Sequence, residues 1–409
     1  MCAHPAPSAL DDLLVSPDLR VDPYPVYRRL RAEAPVFWSE HWQAWVLSRY
    51  DDVAASLKDK DNLSNENRQG LLFNSLSEPQ RQELAPLRHY FAQRDVIGSD
   101  PPDHTRMRAL VQKAFTPRTV TGLGPRIRQL AQDLLAAQTG PFDFVAEIAH
   151  PLPIILIAEI LGAPAADRPL FKRWSSDILG FQGSGTTQYD LAMVSQRSLM
   201  EMFEYMSRLI DARRAAPQDD IISALALAEE AGRGFSRDEL LATCNTILTA
   251  GHETTTNLLG SLVHQLVVTP GAWTRVRGHP ELIPSAVEEA LRYEAPKQRN
   301  FRRVKRTHRF QGREFRENQM VFQLIGSANR DDAHFSQPDV FDPARSPNEH
   351  LSFGSGIHFC LGAPLARLEA QLVLETLFRA GSRAELLAPI RWQERQQFRG
   401  PSELQLSVA

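Results

Sequence analysis

The sequence predicts a mainly α fold with small β-sheets at one side, and three observations lead there. Apolar residues three and four apart recur over about 126–137, 153–161, 197–214, 220–230, 237–268, 281–293 and 364–379, the spacing that gathers them on one helix face. Runs alternating with period two are few and short. The stretch 237–268 is the longest: Ser236 and Glu239 form an S-x-x-E capping box before it, and Pro270 closes it. Roughly 30 residues span about 45 Å, so this helix must cross the molecule and be buried along much of its length.

Taken in chain order, Val36-Phe37-Trp38 and Trp45-Val46-Leu47 flank a polar turn and read as a hairpin. Asp100-Pro101-Pro102-Asp103 is a turn that opens a helix carrying His104 and Arg108 on one face, four residues apart. Gly180 to Gln188 reads as a flexible loop by composition. Glu289 and Arg292, three apart, share a helix face and can pair. Residues 296–302 read as extended, and strands follow over 300–324 with a break at Gln311-Gly312. Leu404-Gln405-Leu406 alternates like a last short strand.

The chain has 409 residues, 43% hydrophobic and 23% charged, with net charge −3. That is ample material for a large core and gives no reason to expect nucleic acid or an acidic membrane as partner. No apolar run is long enough for a membrane helix, and the first residues lack the pattern of a secretory signal. Cys2, Cys244 and Cys360 are odd in number and far apart, which argues against disulfides and for a reducing cytoplasm.

The segment Phe353-Gly354-Ser355-Gly356-Ile357-His358-Phe359-Cys360-Leu361-Gly362 carries the sharpest chemistry. Two glycines allow a close backbone approach, and Ala363-Pro364-Leu365 opens a helix just after the cysteine. A thiol at a helix N-terminus gains thiolate character from the free N–H groups there. Such a residue is a metal ligand, a nucleophile or a structural core cysteine. Zinc needs three or four ligands, and His358 with Cys360 gives two. A dinucleotide loop needs a third glycine where Phe359 stands. A hydrolase would need a His and an acid that the sequence does not place.

This segment resembles the haem-binding loop F-G-x-G-x-H-x-C-x-G of the cytochrome P450 monooxygenases at every specified position. Three further segments are similar to that family's motifs, in the family's order. Ala250-Gly251-His252-Glu253-Thr254, on the long helix, resembles A-G-x-E-T. Glu289-Ala290-Leu291-Arg292 resembles E-x-x-R, with Arg345 of Phe341-Asp342-Pro343-Ala344-Arg345 as its third member. His104 to Arg108 resembles H-x-x-x-R. A glycine among threonines is locally unfavourable in a helix interior, which marks either a functional site or a small-residue helix crossing.

The resemblance implies a triangular prism with a long central helix over haem b, built as one haem domain over residues 1–409. It makes Cys360 the iron ligand. It assigns Gly251, beside Ala250, to a groove for dioxygen, Thr254 to a hydrogen bond to oxygen, Glu253 to proton relay and His252 to structure. His104, Arg108, Arg302 and His358 are implied as haem propionate contacts. The residue four before that arginine in the family touches substrate, so Gln298, with Asn300 on the same face, is a candidate substrate contact. The implied reaction inserts one atom of O2 into a small organic substrate, hydroxylation or a related oxidation of the kind found in secondary metabolism. No flavin or iron–sulfur motif follows, so electrons are expected from a ferredoxin and its reductase, docking near Arg106, Lys113 and Arg367 of a cytoplasmic monomer. Two alternatives remain at this point. One is a peroxide-using enzyme, whose kind often loses the acid–alcohol pair kept here as Glu253-Thr254. The other is a non-catalytic haem-binding sensor or recruitment protein.

Overall fold

A computed structural model describes residues 9–70, 73, 76–183, 188–228 and 232–409. The expected hairpin forms from Val36–Ser39 and Ala44–Leu47, with Trp38 opposite Trp45 and their rings 5.7 Å apart, edge to face. The chain reverses through Gln43, whose φ of 48° is left-handed. Its second strand runs parallel to Met320–Leu324, which pairs antiparallel with Arg299–Val304, and Leu63–Ser64 closes a five-stranded sheet. The break at Gln311-Gly312 is a two-residue turn with both φ values positive, 47° and 72°, joining His308–Phe310 to Arg313–Phe315. The tail strand is Gln405–Val408, held between Phe142–Asp143 and Ala384–Leu386.

Helices dominate. The expected stretches appear at Gly124–Ala136, Pro151–Ile160, Tyr189–Ala215, Ile221–Leu227, Arg237–Val268, Ile283–Tyr293 and Ala363–Ala380. The helix that begins after Pro102 is Asp103–Ala114. Tyr50–Lys58 and Arg168–Gly183 escaped the periodicity reading. The second of these corrects the start of the expected loop: Gly180 lies inside the helix, because Phe171, Trp174 and Ile178 bury one face of it. A side chain at Gly180 would meet nothing, so glycine there costs only propensity. The rest of that expectation, residues 184–187, lies outside the described residues, as do 229 and 230 of the expected 220–230 helix.

The capping box of the long helix forms in full. Glu239 N–H donates to Ser236 Oγ at 3.2 Å, and Ser236 N–H donates to Glu239 Oε2 at 2.9 Å. From Leu258 to Leu266 every residue is buried, so this half shows no polar face. Pro151–Ile160, Ile283–Tyr293 and Ala363–Ala380 surround the helix. No helix among the described residues is long and apolar enough to cross a membrane.

Candidate active site

Around the centre of the long helix the burial breaks in one stripe. Ile247, Ala250, Gly251 and Thr254, at i, i+3, i+4 and i+7, keep accessible surface while their neighbours are buried. Thr254 Oγ1 donates to Ala250 O at 3.0 Å, and Thr255 Oγ1 to Gly251 O at 3.1 Å. Hydroxyls that reach the carbonyl one turn back loosen and bend a helix, which accounts for so many threonines here. At Gly251 an added Cβ would lie 3.1 Å from Ile157 Cδ1. Glycine therefore lets Pro151–Ile160 approach, and what it offers the stripe is backbone.

The cysteine loop is shaped by its glycines. Gly354 and Gly356 have φ of 72° and 71°, a region other residues enter only with strain. At Gly356 a Cβ would also come within 3.1 Å of Leu57 O. Cys360 N–H donates to Phe353 O at 2.9 Å, closing the loop. Cys360 keeps accessible surface yet is enclosed by protein, so it faces an interior cleft. Burial pushes its thiol up, opposed by the N–H groups of Gly362 and Ala363 and by Lys297 and Arg108. The helix end thus works against the burial cost, in the direction expected of N–H groups at a helix terminus. A cation bound at the thiol would supply what is missing. Among the described residues no three His, Cys, Asp or Glu side chains gather around a metal position, so the geometry suits a metal that brings its other ligands with it. Cys244, inside the long helix, is pushed up to about 12 by burial.

Beside this loop lies a cluster of cations and donors, with Asp100 as the nearby acid. His104 is buried, and neither ring nitrogen has a partner. Its ring centroid lies 4.2 Å from that of His358. Burial and then Arg108 push His104 down to about 4, and burial, Arg302 and His104 push His358 down to about 2. Arg108 Nη2 donates to Phe359 O at 2.7 Å. Arg302 is 5% exposed and makes one long bond, 3.4 Å, to the carbonyl of Phe301. Buried donors left unpartnered are costly, and this set fits the two carboxylates of a haem. Sequence reasoning missed Arg68, which is buried, donates to Asn65 and to Phe301 O, and lies over the Phe301 ring. It missed Lys297 as well. Neither carries a motif signal.

Glu253 points off the stripe: Arg395 Nη1 donates to its Oε1 at 3.0 Å. His252 is buried, between Ser175 Oγ at 3.1 Å and Leu248 O at 3.2 Å. Glu289, Arg292 and Arg345 converge. Arg292 donates to both Glu289 oxygens at 2.8 Å, Arg345 Nε lies 3.1 Å from each, and Glu289 and Arg292 are 0% exposed.

The structure turns Gln298 away from the cleft. Its Nε2 donates to Ala295 O at 2.8 Å and, at 3.4 Å, to Tyr24 Oη. The strand begins only at Arg299, so the alternation extrapolated back from Arg302 ends one residue too late to orient Gln298. Asn300 lies within the strand, two residues from Arg302, and shares its face. Arg106 and Arg367, expected on a basic docking face, are paired with Glu239 and Glu288 respectively.

An enclosed thiol beside a cradle of buried donors, in a fold built around one long helix with an open stripe, is an arrangement suited to a haem-thiolate protein. The cytochrome P450 family model matches residues 187–380. A putative cytochrome P450, YjiB of Bacillus subtilis, is 40% identical over 88% of this chain and 87% of its own. The polyketide biosynthesis cytochrome P450 PksS of the same species is 36% identical over 95% of this chain and 96% of its own. Among solved structures, P450BioI in complex with hexadec-9Z-enoic acid ligated acyl carrier protein superposes with TM-score 0.88 at 34% identity, over 96% of this chain and 99% of that one. The chain belongs to the cytochrome P450 family. It is a haem-thiolate monooxygenase that binds haem b and inserts one oxygen atom from O2 into an organic molecule.

Proposed function

We propose that Cys360 is the iron ligand, that His104, Arg108, Arg302 and His358 hold the propionates, and that Thr254 and Glu253 deliver protons. The observation that carries this reading is the enclosed Cys360 thiol near an unpartnered, buried His104 and a buried Arg302 with one long hydrogen bond. Bound haem supplies the oxidising chemistry, and thiolate donation favours O–O cleavage. The protein's own part is positional. Thr254 Oγ1, whose proton rests on the Ala250 carbonyl, keeps accessible surface and can turn that proton to an oxygen species entering beside it. Glu253, next to Thr254 in the chain and held by Arg395, is the group that would take up protons from water. The buried wall of the long helix limits water elsewhere.

We further propose one haem domain over the whole chain, acting as a cytoplasmic monomer that receives electrons from a ferredoxin and its reductase. The likeness to a polyketide biosynthesis enzyme supports a substrate from secondary metabolism. The first test is the ferrous–CO spectrum. The wild type is expected to absorb where thiolate-ligated haem does, and Cys360→Ala to lose that band while Cys244→Ala keeps it. An unchanged band in Cys360→Ala would reject the assignment. NADPH consumption that depends on added ferredoxin and reductase separates the monooxygenase cycle from peroxide use.

A further inference from the structure

We propose that Lys297 is a specificity-determining residue of the substrate cleft, taking the carboxylate of an anionic organic substrate. The residue keeps accessible surface although protein encloses its amine, so it lines an interior space. The charges it feels are those of Arg68, Arg302 and Cys360, which sets it beside the thiol and the donor cradle. It makes no hydrogen bond or ion pair among the described residues. The backbone around it is pinned: Gln298 N–H donates to Gln397 O, Arg399 N–H donates to Pro296 O, and Lys297 bridges to Phe398. The side chain therefore leaves a fixed base.

Nearby acids are committed elsewhere. Glu294 holds Arg399, Arg330 and the Tyr24 hydroxyl. Asp95 accepts from Thr246 and from the amides of Ile97 and Gly98. Glu253 holds Arg395 and Asp100 faces Lys305. Arg68 is already occupied by Asn65 and the Phe301 carbonyl. Two propionates are matched by His104, Arg108, Arg302 and His358, which leaves Lys297 as a cation of this group with no hydrogen-bonded or ion-paired partner among the described residues. Burial, reinforced by Arg68 and Arg302 and opposed by Cys360, pushes its amine down to about 7. An incoming carboxylate restores that charge through up to three donors on a flexible stem.

The proposal rests on the haem-binding reading above, and the test keeps the two apart. Haem-loaded protein is titrated with dodecanoic acid and with naphthoic acid, each beside its methyl ester, and binding is followed by displacement of the Soret band. The acids are expected to bind about tenfold or more tighter than the esters, the scale of a charge-assisted hydrogen bond. Lys297→Met should abolish that preference and Lys297→Arg should keep much of it. Equal binding of acid and ester by the wild type, or no displacement by either acid, overturns the proposal. So does a preference that survives in Lys297→Met. If Lys297→Met loses haem on gel filtration, the lysine serves the cofactor and the proposal fails. A wild type without the thiolate-type ferrous–CO band sinks the haem reading instead, which is a different failure.

Discussion

At the scale of single residues, the roles divide by what each side chain touches. Thr254 Oγ1 bonds one turn back and faces open space, so its hydroxyl is free to act only when something enters the cleft. Replacing it should leave the ground state alone and damage the reaction. Thr254→Ala is expected to keep haem content and substrate-induced spectral shifts. The fraction of NADPH electrons reaching product should fall by about tenfold or more, within the roughly 10²–10⁴-fold that a positioned proton donor can contribute, with peroxide rising in its place. Coupling at the wild-type level would mean that Thr254 does not deliver protons. Glu253 is tied to Arg395 and Cys244 is inert by burial. Their neighbours in sequence gave no hint of either condition.

At the scale of elements, local signals worked wherever the chain closes its own contacts. The capping box, the Gln311-Gly312 turn and the Glu289–Arg292 pair each involve residues within four positions, and each formed. Arg345 joined that pair from a separate segment, where the motif had put it. Breaking this cluster should be expensive. Glu289→Gln leaves two guanidinium groups buried without a counter-charge, so denaturation of the haem-loaded protein should show a loss of about 3–5 kcal/mol. A loss below about 1 kcal/mol would mean that the cluster's backbone acceptors alone satisfy both arginines. Strand alternation failed at Gln298 for an equally local reason. The strand starts one residue later, and the preceding turn follows its bonds to Gln397 and Arg399 instead of the pleat.

At the scale of the whole molecule, charge is used more for cohesion than for display. Arg106 joins the helix at Asp103–Ala114 to the long helix through Glu239, and Arg367 joins Ala363–Ala380 to Ile283–Tyr293 through Glu288. Arg106 and Arg367, both expected to steer a redox partner, are thereby neutralised. Burial alone would raise the Glu288 carboxyl, but hydrogen bonds from Arg367 and His350 hold it down at about 2. Its folded value lies below its unfolded one, so its stabilisation is complete above about pH 4.5 and fades as the pH falls toward 2. With the side chain a quarter exposed, the contribution is on the order of 2 kcal/mol. The stability gap between wild type and Glu288→Gln should therefore shrink steadily across that window. A gap that stays constant from pH 5 to pH 2 would contradict this.

The sequence by itself determined the fold class, the long helix with its cap, the haem loop and the order of the motifs. Each of these depends on contacts closed within a few residues or on a motif quoted intact. Tertiary structure alone decided which side chains share the cleft. Arg68 and Arg395 come from segments distant in the chain and without periodic pattern, and only the packing of the helices and strands brings Arg68 to Lys297 and Arg302, Lys297 to Cys360, and Arg395 to Glu253. It also decided that Gln298 faces Tyr24, that Arg106 is spent on Glu239, and that burial outweighs the helix terminus at Cys360. Burial and partnership are properties of the assembled surroundings, and a linear pattern does not encode them.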